Sequence, residues 1–352
     1  MKNKLTLPLV SLVITNYNYS DYIEDCLIGI LKQTYRPIEC IIIDDCSTDN
    51  SVSVIEEFIK NHKNSDISYK LIRQETNQGQ LAGFITGIKE AKGVFLGFVD
   101  ADDIILPEFV NIHIQAHFRT NVAVSSSQQI EIDKKKQINS FASHIAPRTY
   151  KKDSMLKTKN FEEVITALNS CDVFEDNISY KVISIDTHKF GGWYWGPTSS
   201  VIFRKNVLDL FIFAENYEHW KYCADKYILN FAHLIGGSCT IYKPLTAYRR
   251  HFDNCFSTDL LLGNRKYFSQ ETLNKLFVNN KIVFKDILVI MLNGRENFLK
   301  LMDRKSFNNL IKHIIINMSE DQIIENSNII KTLLNAEEYE KILLSQDNKQ
   351  QV

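Results

Sequence analysis

The sequence predicts an α/β fold, a Rossmann-like, mostly parallel sheet flanked by helices, with a helical appendage at its C-terminus. Three observations carry that expectation. From Leu9 to Asp100, short β-branched apolar runs alternate with segments of helical spacing; those runs are apolar throughout; and from Gln270 to Ser345 the spacing is helical and rich in Ile, Leu and Lys. Strands that read as continuous apolar runs between helices belong to a parallel sheet covered on both faces.

The elements follow in order. The N-terminal "MKNKLTLPLVSLVITNYN" has the lysines and apolar run of a secretory leader, but no small-x-small cleavage site follows, so "LVSLVIT" (Leu9–Thr15) reads as the first strand. "DYIEDCLIGILKQT" (Asp21–Thr34) has helical spacing, "ECIIIDD" (Glu39–Asp45) is a strand and "NSVSVIEEFIKNH" (Asn50–His62) a helix. "SYKLIRQ" (Ser68–Gln74) is the third strand. A helix from Gln80 to Ala91 leads to the fourth, "VFLGFVD" (Val94–Asp100). Beyond Phe109 the pattern loosens. "EIDKKKQINSFASHIAPRTYKKDS" (Glu131–Ser154) reads as a solvated loop or, with its lysine run, an anion-binding one. "GGWYWGPTSSVIFRK" (Gly191–Lys205) leads into a further strand. No internal repeat or low-complexity tract appears. The expected organisation is two halves of one domain, 1–110 and 111–262, followed by a helical extension, 263–352.

Composition narrows the function. Among 352 residues, 44% are hydrophobic and 24% charged, as in an ordinary globular protein. Lys and Arg (41) nearly balance Asp and Glu (42), leaving a net charge of -1 and no global basic field for a nucleic acid, so an anionic ligand must be held locally. The 7 cysteines are scattered and form no C-x-x-C pair, which argues for reduced thiols and a cytoplasmic placement. The nearest approach to a membrane span, "ILVIML" (Ile287–Leu292), falls far short of the roughly 20 apolar residues needed, so any membrane contact is peripheral.

Unusual residues cluster at the predicted strand ends, where parallel sheets bind ligands. Thr15-Asn16-Tyr17-Asn18 follow the first strand, Asp44-Asp45 the second, Asn77-Gln78-Gly79-Gln80 the third, and Asp100, Asp102 and Asp103 the fourth. Carboxylates so close repel one another unless something positive sits among them. Independent helix caps would have no reason to gather on one rim, although capping remains the simplest role for Asp103. Gly79, Gly83 and Gly87 recur every four residues, which suits close helix packing and matches neither a dinucleotide fingerprint nor a P-loop. His113 and His117 stand four apart without a third ligand or an H-E-x-x-H glutamate, so zinc is not indicated there.

Two stretches, "VSLVITNYNYSDYIEDCLIGILKQTYRPIECIIIDDCSTDNSV" and "NQGQLAGFITGIKEAKGVFLGFVDADD", resemble the nucleotide-binding half of family 2 glycosyltransferases of the GT-A fold, of the bacterial surface-glycan type. The resemblance runs nearly unbroken from Pro8 to Pro107. It continues more weakly through "CADKYILNFAHLIGG" and "AYRRHFDNCFS" to Ser257. It implies a metal-dependent, inverting, non-processive transferase. The donor would be a UDP-sugar and the acceptor a hydroxyl of a saccharide or lipid-linked saccharide, in polysaccharide or lipid-linked glycan biosynthesis.

Residue by residue, the resemblance assigns Asp100 and Asp102 to a D-x-D motif. Asp102 would ligate Mn²⁺ or Mg²⁺ and Asp100 would lie nearer the sugar or ribose. Thr15 and Tyr17 fall where the base is held, and Asp44 where a carboxylate accepts from base or ribose. Asp225 takes the position of the catalytic base, with Ala224 in place of the usual Glu. Arg249 or Arg250 would pair with phosphate, and His251 would ligate the metal or touch the diphosphate. Trp193 and Trp195, one residue apart on an extended segment, offer aromatic faces to an acceptor sugar, with core packing as the competing account. The C-terminal helices are candidates for homo-oligomerisation or for contact with the inner face of a membrane. A nucleotidyltransferase would also place a metal between aspartates and a nucleotide, but it wants an early Gly- and basic-rich loop that is missing here. A catalytically silent nucleotide-sugar-binding scaffold is the other alternative.

Overall fold

The computed structural model describes residues 6–142, 182–185, 195–221, 223–251, 270–334 and 339–340. The first strands and helices fall where the periodicity places them: β1 (Val10–Asn16), α1 (Ile23–Leu31), β2 (Ile38–Asp44), α2 (Ser51–Asn61), β3 (Ile67–Arg73), α3 (Gln80–Glu90) and β4 (Phe95–Asp100). These four strands are parallel, in the order β3-β2-β1-β4.

From there the sheet becomes mixed. It continues through β5 (Ile104–Ile105), β6 (Val124–Ile132), β7 (Ile138–Ala142), β8 (Val182–Ile185), β9 (Val201–Arg204) and β10 (Ser238–Arg249), with β9 antiparallel to both β4 and β6. The helices of this half are α4 (Phe109–Thr120), α5 (Lys205–Phe211) and α6 (Ala224–Gly236). One sheet, β3-β2-β1-β4-β9-β6-β10-β5, therefore runs through both predicted halves.

The strand β6, "VSSSQQIEI", has no apolar period to announce it, yet Ser125, Ser126 and Ser127 are completely buried. Side-chain partners make this tolerable. Ser125 Oγ lies 2.7 Å from His113 Nδ1, and Ser126 Oγ accepts from the Gly196 amide at 2.8 Å. His113 and His117 are accordingly core residues. Burial pushes both imidazoles down, His117 to about 4.

Each face of the sheet carries its own core. On one, Leu12, Ile14, Cys40 and Val99 pack under α1, α2 and α4. On the other, Val13, Ile41 and Phe98 pack under α3, α5 and α6, and this core continues into α7 (Gln270–Asn293), α8 (Arg295–Leu301), α9 (Arg304–Ile316), α10 (Glu320–Glu325) and α11 (Ser327–Leu333). Close approach explains the glycines of α3: a Cβ on Gly87 would lie 2.4 Å from Val13 Cγ1. Among the described residues no helix is long and apolar enough to cross a membrane.

Candidate active site

Strand register assembles the rim. Thr15 pairs with Asp100 across β1 and β4, and Asn16 with Asp44 across β1 and β2, so the predicted strand-end residues form one row. Tyr17 stands at its edge, 43% exposed. Asp44 is nearly fully buried; its Oδ1 accepts from Asn16 Nδ2 at 2.8 Å and its Oδ2 from the Ser47 amide at 3.0 Å. Asp45 accepts from the amides of Gln78 and Gly79, both at 2.8 Å, and so ties the loop before α3 to the end of β2.

The loop after β4 concentrates the charge. Burial first, then the neighbouring charges of Asp102 and Asp225, push the Asp100 carboxyl up to about 8. Burial and the charges of Asp102 and Asp100 push Asp103 up as well. Asp103 does not cap α4: its Oδ1 accepts from the Arg249 amide at 2.9 Å, because the loop is stitched to β10. Asp102 Oδ2 lies 2.9 Å from His251 Nε2, and both residues are buried. The His251 ring stacks on Tyr22, centroids 5.0 Å apart, and meets Tyr19 edge-on at 5.9 Å.

Both candidate phosphate-binding arginines have protein partners. Arg249, 1% exposed, donates from Nε to the Asp102 carbonyl at 2.8 Å and from Nη2 to Asp25 Oδ2 at 3.0 Å, with its guanidinium 5.1 Å over the Tyr22 ring. Arg250 donates from Nη2 to Glu131 Oε1 at 2.7 Å in a buried pair. In this arrangement they brace the loop of Asp102 and the end of β10.

Asp225 lies in the first turn of α6, half-buried. Burial pushes its carboxyl up to about 6, against the Lys226 amide, which donates to Oδ1 at 2.8 Å. Gln80 joins this helix to the rim. Its Nε2 donates to Asp100 Oδ1 at 3.4 Å and its Oε1 accepts from the Ala224 amide at 3.1 Å.

The structure thus brings Thr15, Tyr17, Asp44, Asp100, Asp102, His251 and Asp225 to one edge of the sheet. Trp195 sits apart, completely buried, its indole edge-on to His233 at 5.4 Å. Packing is the role its surroundings supply, because no face of the ring reaches solvent. Trp193 lies outside the described residues. Sequence reasoning flagged Gln80 at a strand end without giving it a role, and missed Tyr19, Tyr22, Asp25 and Ser199, whose Oγ accepts from the Asp100 amide at 3.0 Å. A signal existed for the tyrosines in the run "YNYSDY"; a single Ser carries none.

The family model described as glycosyl transferase family 2 matches residues 11–177. An uncharacterized glycosyltransferase of a Nostoc strain is 28% identical over 245 residues, covering 70% of this chain and 66% of its own length. The Escherichia coli UDP-Glc:alpha-D-GlcNAc-diphosphoundecaprenol beta-1,3-glucosyltransferase WfgD is 29% identical over 149 residues, covering 42% of this chain and 55% of its own length. The chain therefore spans less than two thirds of either relative. The crystal structure of Staphylococcus aureus TarS 1-349 covers 97% of this chain and 91% of that one, with a TM-score of 0.51 at 15% identity, a likeness of fold.

Proposed function

We propose that this chain, whose residues 11–177 match the family model described as glycosyl transferase family 2, transfers a sugar from a UDP-sugar to a hydroxyl acceptor, with inversion at the anomeric carbon. The observation that carries this reading is the gathering of Asp100, the Asp102–His251 pair and Asp225 at one rim, with Asp100 and Asp225 close enough for one charge to act on the other. The name of WfgD states a UDP-sugar donor and a lipid-linked acceptor for that relative. The same two classes of substrate are proposed here, in glycan assembly.

The donor set fits a divalent cation. Burial, and after it the neighbouring carboxylates, push Asp100 and Asp103 up, and a cation among them would favour their ionised forms. Among the described residues no three His, Cys, Asp or Glu side chains form a complete metal site. Mg²⁺ is commonly held through one or two carboxylates and the substrate's own phosphates. Asp102 and His251 would hold Mn²⁺ or Mg²⁺, and the bound ion supplies neutralisation of the leaving diphosphate.

The chain's own residues do the rest. Asp225 takes the proton of the acceptor hydroxyl as its oxygen attacks the anomeric carbon and the bond from that carbon to the diphosphate oxygen breaks. A carboxyl near 6 suits a base working near neutral pH. Tyr17, exposed at the rim, offers its ring to the uracil, and Thr15 and Asp44 line the same pocket.

Calorimetric titration with UDP, with and without Mn²⁺ or Mg²⁺ and beside ADP, GDP and CTP, tests the donor half. Metal-dependent UDP binding is the expected result. Preference for a triphosphate would favour a nucleotidyltransferase, and absence of nucleotide binding a silent scaffold.

A further inference from the structure

We propose that Gln80 is a positioning residue that sets the base-bearing helix α6 against the carboxylate of Asp100, an inference that rests on the transferase reading above. The start of α6 has no side-chain cap at its N-cap position. Cys223, at the N-cap, sits in the left-handed region with φ +63° and supplies no side-chain cap, whereas the first amides of a helix need acceptors from outside it. Gln80, 144 residues away in sequence, supplies one: its Oε1 accepts from the Ala224 amide at 3.1 Å. The other end of the same planar amide donates to Asp100 Oδ1. Glutamine suits the position because it donates and accepts at once, while an ionised glutamate there could accept but not donate.

Gln80 is itself held. Its backbone amide donates to the Lys221 carbonyl at 3.1 Å, and the two residues before it are fastened to Asp45. Gly79 permits this approach, with φ +84° and a Lys221 Cα that would lie 2.9 Å from any Cβ added there. A strut so anchored fixes Asp225, one residue beyond the capped amide, relative to the donor side of the site. Small misplacements of a catalytic group cost rate out of proportion to their size.

The test uses Gln80→Met, which keeps length and loses both hydrogen bonds, and Gln80→Glu, which keeps the acceptor for Ala224. For Gln80→Met, kcat should fall about 10- to 100-fold while donor KM and metal-dependent UDP affinity stay within about twofold. In an Asp225→Asn background the same substitution should cost little more, since Gln80 acts through Asp225; full additivity would overturn the proposal. Hydrogen exchange at the first-turn amides of α6 should quicken in Gln80→Met and stay near wild type in Gln80→Glu, with kcat lowered in both. Exchange and kcat both unchanged in Gln80→Met would also overturn it. If the unaltered chain transfers no sugar while exchange responds as stated, the transferase reading fails and the strut stands.

Discussion

As the proposed base, Asp225 must be ionised to accept a proton, and its carboxyl stands at about 6. Transfer should therefore rise with pH through about 6 and level off above it, as a rate profile under saturating substrates would record. Asp225→Asn is expected to remove about 10²- to 10⁴-fold of kcat and leave UDP binding near normal, whereas Asp102→Ala should abolish the metal-dependent part of that binding. Equal loss of UDP binding in both variants would contradict this division of roles. At this scale the sequence singled out Asp100, Asp102, Asp225 and His251 by residue type, and the structure places them near one another. It was uninformative where the role depends on a neighbour. Arg249 and Arg250 read as phosphate ligands in a motif, yet Asp25 and Glu131 take up their guanidinium groups, and nothing in the spacing of Asp25 from Arg249 announces that contact.

The elements around the site carry two further expectations. The loop after β4 holds buried carboxylates that the unfolded chain would ionise near an ordinary value of about 3.9. With Asp100 at about 8, and Asp103 also raised, the folded chain holds protons that the unfolded chain has released. Stability without metal should fall as pH rises from about 4 to about 8. Melting in EDTA across that range should show the slope, and Asp100→Asn should flatten it; an unchanged slope would mean another group carries it. The loop before α3 is equally constrained. In Gly79→Ala the new Cβ would meet Lys221 at a left-handed φ, so both melting temperature and transfer should drop. Elements with a strong period, β1 to β4 and α1 to α3, were legible to within three residues at each end. The polar strand β6 was not, because its buried serines are satisfied by His113 and Gly196, residues that only folding brings near.

At the scale of the molecule, the described C-terminal helices are part of the core on which the helix of Asp225 packs. Asp286 of α7 accepts from Trp220 Nε1 at 2.6 Å and from Asn216 Nδ2 at 3.3 Å, and the Trp220 ring stacks on Tyr227 of α6 with centroids 4.9 Å apart. Asp286→Ala leaves a buried indole N–H without its acceptor and should destabilise the protein by about 1–3 kcal/mol, read as a lowered denaturation midpoint. A midpoint equal to wild type would show that the helices merely lie against the domain. The sequence by itself determined the α/β class, the order of the first elements and the carboxylates at the strand ends, because hydrophobic period and local charge are properties of neighbours along the chain. The tertiary structure alone decided that the sheet turns mixed after β4, that Trp195 is core, that Asp103 ties to β10, and that Gln80 joins Asp100 to the helix of Asp225. Each of these depends on contacts between residues far apart in sequence, which leave no periodic trace in either partner.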